Sequence, residues 1–232
     1  MAEMLNSGAG AGQTLSSAVA NTLRMQITSG AMPPGKKINL EDLRADLGVS
    51  LSPLREALSR LAAEGFVSLE SNRGYRVAPV SEPNLVEVTR LRTMLETFAL
   101  RESIRLGDNA WESSIVAGIY QLNKRIGAKN VDLDDWEITH RTLHHDLLAA
   151  CGMPLVLHFC SILHDLNDRY RRMFLEGNSL DPSVADEHAN ICSAALARDA
   201  DKACALLKEH IERTGMNVAA ALRKRKPSVP AT

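Results

Sequence analysis

Seven histidines occur in this chain, and all follow residue 139: His140, His144, His145, His158, His164, His188 and His210. Neutral imidazole nitrogen suits divalent transition metals such as Zn²⁺, Ni²⁺, Cu²⁺ and Fe²⁺. His140 and His144 stand four residues apart, so one helix face presents both to a single ion. His188 lies about eleven residues before a helix break near residue 199 or 200, and His210 about ten after it. In an antiparallel hairpin those two are level with each other. Four imidazoles from three helices can therefore converge in a bundle core, with Zn²⁺ or Ni²⁺ as the expected ion. The same residues also read as ordinary helix histidines satisfied by hydrogen bonds. An i, i+4 pair arises often by chance, so spacing leaves both readings open.

Other reactive patterns are sparse. His144-His145-Asp146 contains the His-Asp dipeptide that helical metal-dependent phosphohydrolases use to activate water. It is a two-residue match, and four protein ligands leave little room for a reactive water, so the expectation is that the chain is not an enzyme. The four cysteines, Cys151, Cys160, Cys192 and Cys204, form no CxxC pair and read as free buried thiols in a reducing compartment. Trp111 and Trp136 read as packing residues, and His145, His158 and His164 as ordinary surface or core residues.

The elements that must position these groups are mostly helical. Apolar residues make up 45% of the 232 residues and aromatics only 4%, so the cores are built from Leu, Ala, Val, Ile and Met, a mixture that favours helices. That length supports two domains. Residues 1–13 are small and polar and read as disordered. A helix follows from Thr14, with Leu15, Val19, Leu23 and Ile27 at every fourth position and Thr14 or Ser16 as its cap. Gly30 and Pro33-Pro34 end it. A short helix spans about 39–47, and a third begins at Ser50 or Ser52, with Pro53 in its first turn, and ends at Gly65. Two β-prone runs, 66–69 and 75–78, flank the turn residues Ser71 to Gly74 and predict a hairpin. Helix, helix, turn, helix and hairpin over 14–80 make a winged helix-turn-helix. After a linker at 81–84, residues 85–222 read as six helices, roughly 83–106, 108–127, 132–151, 154–176, 182–198 and 200–222, forming an antiparallel bundle. A basic tail, 223–232, follows. The expected fold class is mainly α. No apolar run reaches the ~20 residues of a membrane span and no signal peptide is present, so the expected location is the cytoplasm and no membrane partner is implied.

In a helix-turn-helix the third helix enters the major groove with its first turn toward bases and phosphates. Here that turn holds Ser50 and Ser52 as hydroxyl donors and Arg55 as a clamp for phosphate or guanine. Arg60 lies further along the helix. Arg73, with Arg76, sits on the wing, where Gly74 permits a tight turn and close approach to phosphate. Residues 14–80 carry eight Lys/Arg and six Asp/Glu against a net charge of −1 for the chain, a modest local basic excess. The expected nucleic-acid partner is double-stranded operator DNA. An alternative is a bare interaction module whose winged helix binds protein, leaving the RKRK run of the tail as the nucleic-acid contact.

The run LGVSLSPLREALSRLAAEGFVSLESNRGYRVAPVS, with GAMPPGKKINLEDL before it, resembles the DNA-binding domain of the GntR family of regulators. Leu51 and Glu41 stand where that family often has basic residues, and Ser52 where it often has Thr. The second half resembles the FCD effector domain of the FadR subfamily, through LRTMLETFALR, THRTLHHDLLAACGMPLV and DEHANICSAALARDADKACALLKEHI. Many such domains hold a divalent metal with one Asp and three His; the His positions fall on His144, His188 and His210, and the Asp position on His140. The WE-x-x-H-x-x-x-H spacing from Trp136 to His144 is similar to the branch of the carbon-starvation-induced regulator. The resemblance implies a small carboxylate effector held by the metal and basic side chains, with Arg92, Arg169 and Arg172 around Tyr170 as the expected partners. The RYRR run reads equally as a solvated helix face. A single recognition helix reads few base pairs, so a homodimer on a two-fold operator is expected, acting as a repressor.

Overall fold

The computed structural model describes residues 14–70, 74–126, 132–174 and 182–224, which fall into two compact units. The first comprises residues up to 81 together with 168–173, and the second the remainder.

Helix α1 (Leu15–Thr28) starts where Thr14 Oγ1 accepts the Ser17 amide at 3.2 Å. Its Val19, Ala20, Leu23 and Ile27 form one buried stripe. Ser16, the alternative cap, instead donates to Glu56 Oε1 at 2.7 Å. Helix α2 (Leu40–Leu47) is capped by Asn39, and Gly48 ends it at φ 66°, a left-handed conformation that costs glycine little. Helix α3 (Leu51–Ala63) buries Leu54, Ala57, Leu58 and Leu61 against α1. Strand β1 (Lys37–Ile38) joins β2 (Val67–Glu70) and β3 (Gly74–Val77) in a sheet ordered β1-β3-β2. The hairpin pairs Val67 with Val77 and Glu70 with Gly74. The two-residue β1 was not expected, because so short a run carries no periodicity.

The second unit contains helices α4 (Glu82–Leu106), α5 (Asn109–Ile126), α6 (Leu133–Leu148), α7 (Pro154–Phe174), α8 (Pro182–Leu196) and α9 (Ala200–Lys224), with a 3₁₀ turn at Ala149–Cys151. The end of α7 is grouped with the first unit. The expected linker at 81–84 is short, since helix begins at Glu82. The expected tail is also shortened, since α9 continues through Arg223 and Lys224. Arg223 Nε lies 3.0 Å from both Glu82 carboxylate oxygens, and this ion pair joins the start of α4 to the end of α9. At the other end Arg101 pairs with Asp201 at 2.8 Å, so the two helices run antiparallel. Arg198 takes φ 59° in the break before α9 and donates to Ile104 O at 2.6 Å. Leu100, Ile115, Leu122, Leu143, Leu147, Ile191 and Leu207 fill the bundle core.

Gly215 lets α9 close on α4. A Cβ there would lie 2.7 Å from Thr89 Oγ1 and 2.8 Å from its Cγ2. Gly215→Val is expected to lower unfolding free energy by about 1–3 kcal/mol in urea titrations. Adding Thr89→Ala should recover part of the loss.

Candidate metal centre and nucleic-acid interface

Asp132 caps α6, accepting the amides of Asp134 and Asp135, and fixes the start of the helix that carries His140 and His144. His188 comes from α8 and His210 from α9. All four imidazoles are buried, with one nitrogen of each within 4.8 Å of the others. His144 Nε2 lies 3.2 Å from His140 Nε2 and 3.2 Å from His188 Nε2. The rings of His188 and His210 are 4.5 Å apart between centroids, as the level placement about the break requires. Trp136 stacks on His140 at 4.8 Å.

The far nitrogens define what the near ones can do. His188 Nδ1 lies 2.7 Å from Val184 O, which can only accept, so that nitrogen carries the proton. His210 Nδ1 donates to Glu187 Oε2 at 2.7 Å. His144 Nδ1 faces Glu96 Oε2 at 3.7 Å. Burial alone would raise the Glu96 carboxyl, but the Arg92 guanidinium, and then His144, hold it down at about 2. It is therefore an acceptor. With Nδ1 protonated, neutral His188 and His210 each present a lone pair at Nε2, as does His144 in the tautomer whose Nδ1–H faces Glu96. Burial depresses His210 to about 4 against the pull of Glu187, which favours this neutral form. In that tautomer the lone pairs of His144 and His188 face one another at 3.2 Å and repel unless a cation lies between them. A tetrahedral ion with N bonds of about 2.0 Å needs ligand atoms about 3.3 Å apart. The residues present therefore fit a metal, and each of these three far nitrogens has the kind of partner that orients metal-bound imidazole.

Behind His144 lies a second group. Arg92 Nε donates to Glu96 Oε1 at 2.6 Å, and Arg92 Nη2 lies 3.3 Å from His164 Nδ1. Glu96, His144 and His164 bring one ligand atom each within 4.8 Å. A cavity of about 180 Å³ opens here, lined among others by Arg141, Thr142, His144, Ser161 and His164. Arg141 Nη2 donates to Ser161 Oγ and to Asp165 Oδ2, each at 3.1 Å. Cys160 also lines it; burial, with Glu96 nearby, pushes its thiol up to about 12, so it stays protonated. All four cysteines are free and buried.

The structure distributes the expected anion-binding residues differently. Arg92 is beside the histidines, but in a buried pair with Glu96. Arg169 and Tyr170 are in the segment grouped with the first unit, where Arg169 donates to Ala78 O and Tyr170 donates to Ser81 O at 3.1 Å. Arg169, Tyr170 and Arg171 are buried and Arg172 half-buried, so this run is not a solvated face. His164, read as an ordinary residue, adjoins His144, with ring centroids 5.1 Å apart. Glu96 and Glu187 were not singled out from the sequence. The Arg92–Glu96 spacing of one helical turn was the available signal for the first. Nothing in spacing signals Glu187, whose carboxylate reaches His210 on another helix. His145 is exposed, its Nδ1 3.8 Å from Asp146, and neither belongs to a ligand group among the described residues.

In the first unit, Ser50 is the N-cap residue of α3, yet its side chain makes no capping bond. Ser52 and Arg55 are exposed in the first turns of the same helix, and Arg55 has no ion-pair partner among the described residues. Arg60 donates to Ser17 Oγ at 3.0 Å and so ties α3 to α1. Gly74 starts β3 at φ 82°, and nothing lies within 4 Å of where its Cβ would be, so backbone conformation alone favours glycine there. Arg73 lies outside the described residues. Arg76 is engaged by Glu70 at 3.0 Å and by Gly35 O at 2.6 Å.

A winged helix-turn-helix unit and a helical unit with a polar interior define a DNA-binding transcription regulator. The family model of the gntR bacterial regulatory proteins matches residues 15–77, and that of the FCD domain matches residues 87–213. The chain belongs to the GntR family and carries an FCD domain. It is 35% identical to the HTH-type transcriptional regulator BphR of Paraburkholderia xenovorans, over 86% of this chain and 83% of that protein. It is 32% identical to the HTH-type transcriptional repressor GlaR of Escherichia coli, over 82% of this chain and 89% of that one. The fold matches that of E. coli McbR/YncC with a TM-score of 0.79 at 20% identity, covering 92% of this chain and all (100%) of the other.

Removing the Glu96 charge leaves a buried guanidinium unpaired. In chelator, Glu96→Gln is expected to cost about 3–5 kcal/mol of stability. Pairing it with Arg92→Met should restore most of that, as read by urea denaturation followed by circular dichroism.

Proposed function

We propose that this chain is a repressor that binds a two-fold operator as a homodimer. Its DNA affinity is set by a small carboxylate held beside a divalent metal in the helical unit. The observation that carries the reading is the convergence of three protein-oriented Nε2 lone pairs on one buried point, next to a cavity with a guanidinium at its edge. His140, His144, His188 and His210 would hold Zn²⁺ or Ni²⁺, and the ion's charge would reach an effector in the cavity through His144, which lines it. Arg141, whose two terminal nitrogens already pair with Asp165, would add its charge at the cavity edge, with Ser161 and Thr142 as hydroxyl partners for a carboxylate. This gives Arg141 the role that the sequence suggested for Arg169 and Arg172. Arg92 acts from behind, holding Glu96 and His164. The names of GlaR and of a probable D-xylose operon regulator of Paenarthrobacter nicotinovorans, both called repressors, support repression. An effector can act only through different affinities for the DNA-competent and DNA-incompetent forms.

On DNA, Ser50, Ser52 and Arg55 meet bases and phosphates from the α3 N-terminus, with Arg73 and Gly74 on the wing. Arg60, bonded to Ser17, steadies the helix. Arg55→Ala is expected to weaken specific operator binding by about 1–3 kcal/mol with the fold intact, measured by fluorescence anisotropy at fixed salt. A thermal-shift series with mono- and dicarboxylates, before and after chelation, tests the effector site. Carboxylate stabilisation that disappears on chelation, and in His144→Ala, is the expected result. A carboxylate response that ignores chelation would remove the metal from the reading.

A further inference from the structure

Helix α3 and the wing meet at a pair of hydroxyls. Ser59 Oγ on α3 lies 3.3 Å from Tyr75 Oη on β3, and the pair is solvent-exposed. That separation is long for an O–H···O bond, whose usual length is about 2.7–2.8 Å, so the contact adds little to the fold. The wing is already held by other means. Val67 and Val77 are a buried cross-strand pair, and Arg76 is fixed by Glu70 and by Gly35 O. Two rotatable donors this close, with little structural duty, suit one acceptor that carries two oxygens.

The surroundings say what that acceptor is. Ser52, Arg55 and Ser59 stand at steps of three and four along α3, so they share one face of the helix, and all three are exposed. Arg55 therefore sits one turn from the hydroxyl pair. The acids nearest in sequence are engaged elsewhere: Glu56 accepts from Ser16 on α1 at 2.7 Å, Glu64 pairs with Arg24 at 2.6 Å, and Glu70 with Arg76 at 3.0 Å. Sheet register separates the two faces of the wing. Tyr75 is level with Leu69 and Ile38, two residues from buried Val77, while Lys37 is level with Arg76 on the other face. Leu69, 66% exposed, therefore flanks the Tyr75 ring on the side of α3. A guanidinium, two hydroxyls and an apolar side chain on one surface match a nucleotide backbone, with its anionic phosphate oxygens and apolar sugar edge.

We infer that Ser59 and Tyr75 together grip one backbone phosphate of the operator, beside the contact made by Arg55. The inference rests on the operator-binding reading above and deepens it, by adding a contact that holds α3 and the wing at one strand position. The test uses the full chain and a fluorescein-labelled duplex that the wild type selects from a random pool, with binding read by anisotropy. Tyr75→Phe keeps the ring and removes only the hydroxyl. It is expected to weaken binding to that duplex about fivefold, and Ser59→Ala about threefold, with thermal midpoints and base preference unchanged. A neutral donor displaces no counterion, so the salt slope should stay at the wild-type value in both, whereas Arg55→Ala should lower it by about one. Methylphosphonates placed singly along the half-site then locate the phosphate. At one position wild type and Tyr75→Phe should bind equally, because the oxygen that the hydroxyls grip is gone. Equal binding of the wild type and both variants to the unmodified duplex overturns the inference and leaves operator binding standing. A changed base preference in Tyr75→Phe makes Tyr75 a base reader, and a loss that follows a lowered thermal midpoint makes the pair a structural tie; either result overturns the phosphate assignment. If the wild type selects no duplex, the operator reading fails along with this one.

Discussion

A guanidinium buried in a helical core must find acceptors for its charge, and the histidine cluster of the second unit is built against the Arg92–Glu96 pair. Both side chains are almost wholly buried, at 3% and 1% exposure. Such a pair gives back in Coulomb energy roughly what it loses in desolvation, so it is weak evidence for a stabilising role. Its value here is orientation. Glu96, kept ionised by Arg92, faces His144 Nδ1, and Arg92 reaches His164 in turn. Glu187 repeats the pattern on the other side of the centre, between Arg213 at 2.7 Å and His210 at 2.7 Å. Two Arg–Glu–His chains from different helices therefore turn near nitrogens toward the same point.

This arrangement also bears on the substitution of His140 for the family's aspartate. In the proposed reading, His140 as a neutral fourth ligand would take a negative charge out of direct contact with the ion. Glu96 and Glu187 keep two carboxylates one imidazole further out. Each is shared with an arginine, so the net field at the centre is modest. Borderline, neutral nitrogen donors with outer carboxylates would suit borderline divalent ions better than hard ones.

The first unit follows the opposite rule. The polar groups at the start of α3 are peripheral: Ser50 forgoes its cap, and Ser52 and Arg55 project from the helix, while Leu54, Leu58 and Leu61 hold it against α1. A DNA-reading surface must leave its donors uncommitted, and a metal centre must commit all of its own. In α3 one helix keeps donors free and a core filled by its 3.6-residue period, with the apolar stripe inward and hydroxyl and guanidinium groups outward.

The order and extent of the helices were legible because each is bounded by local chemistry: Thr14, Asn39 and Asp132 as caps, Gly48 and Gly152 in left-handed turns, and Pro53 in a first turn. The His140–His144 spacing and the level placement of His188 and His210 are also local or one hairpin away, so chain order could gather those four. Glu96, Glu187, His164 and Arg141 were beyond it. Their roles depend on which helix packs beside which, and on side chains reaching 20 or more residues along the chain, such as Arg141 to Asp165. Arg169 and Tyr170 show the same limit in reverse: their types fit an anion, but packing commits them to the backbone of Ala78 and Ser81. The elements and the set of four histidines could be read from the chain because periodicity and capping act within a few residues. Which polar groups stand behind those histidines was settled by packing in three dimensions, because burial and pairing are properties of the folded neighbourhood.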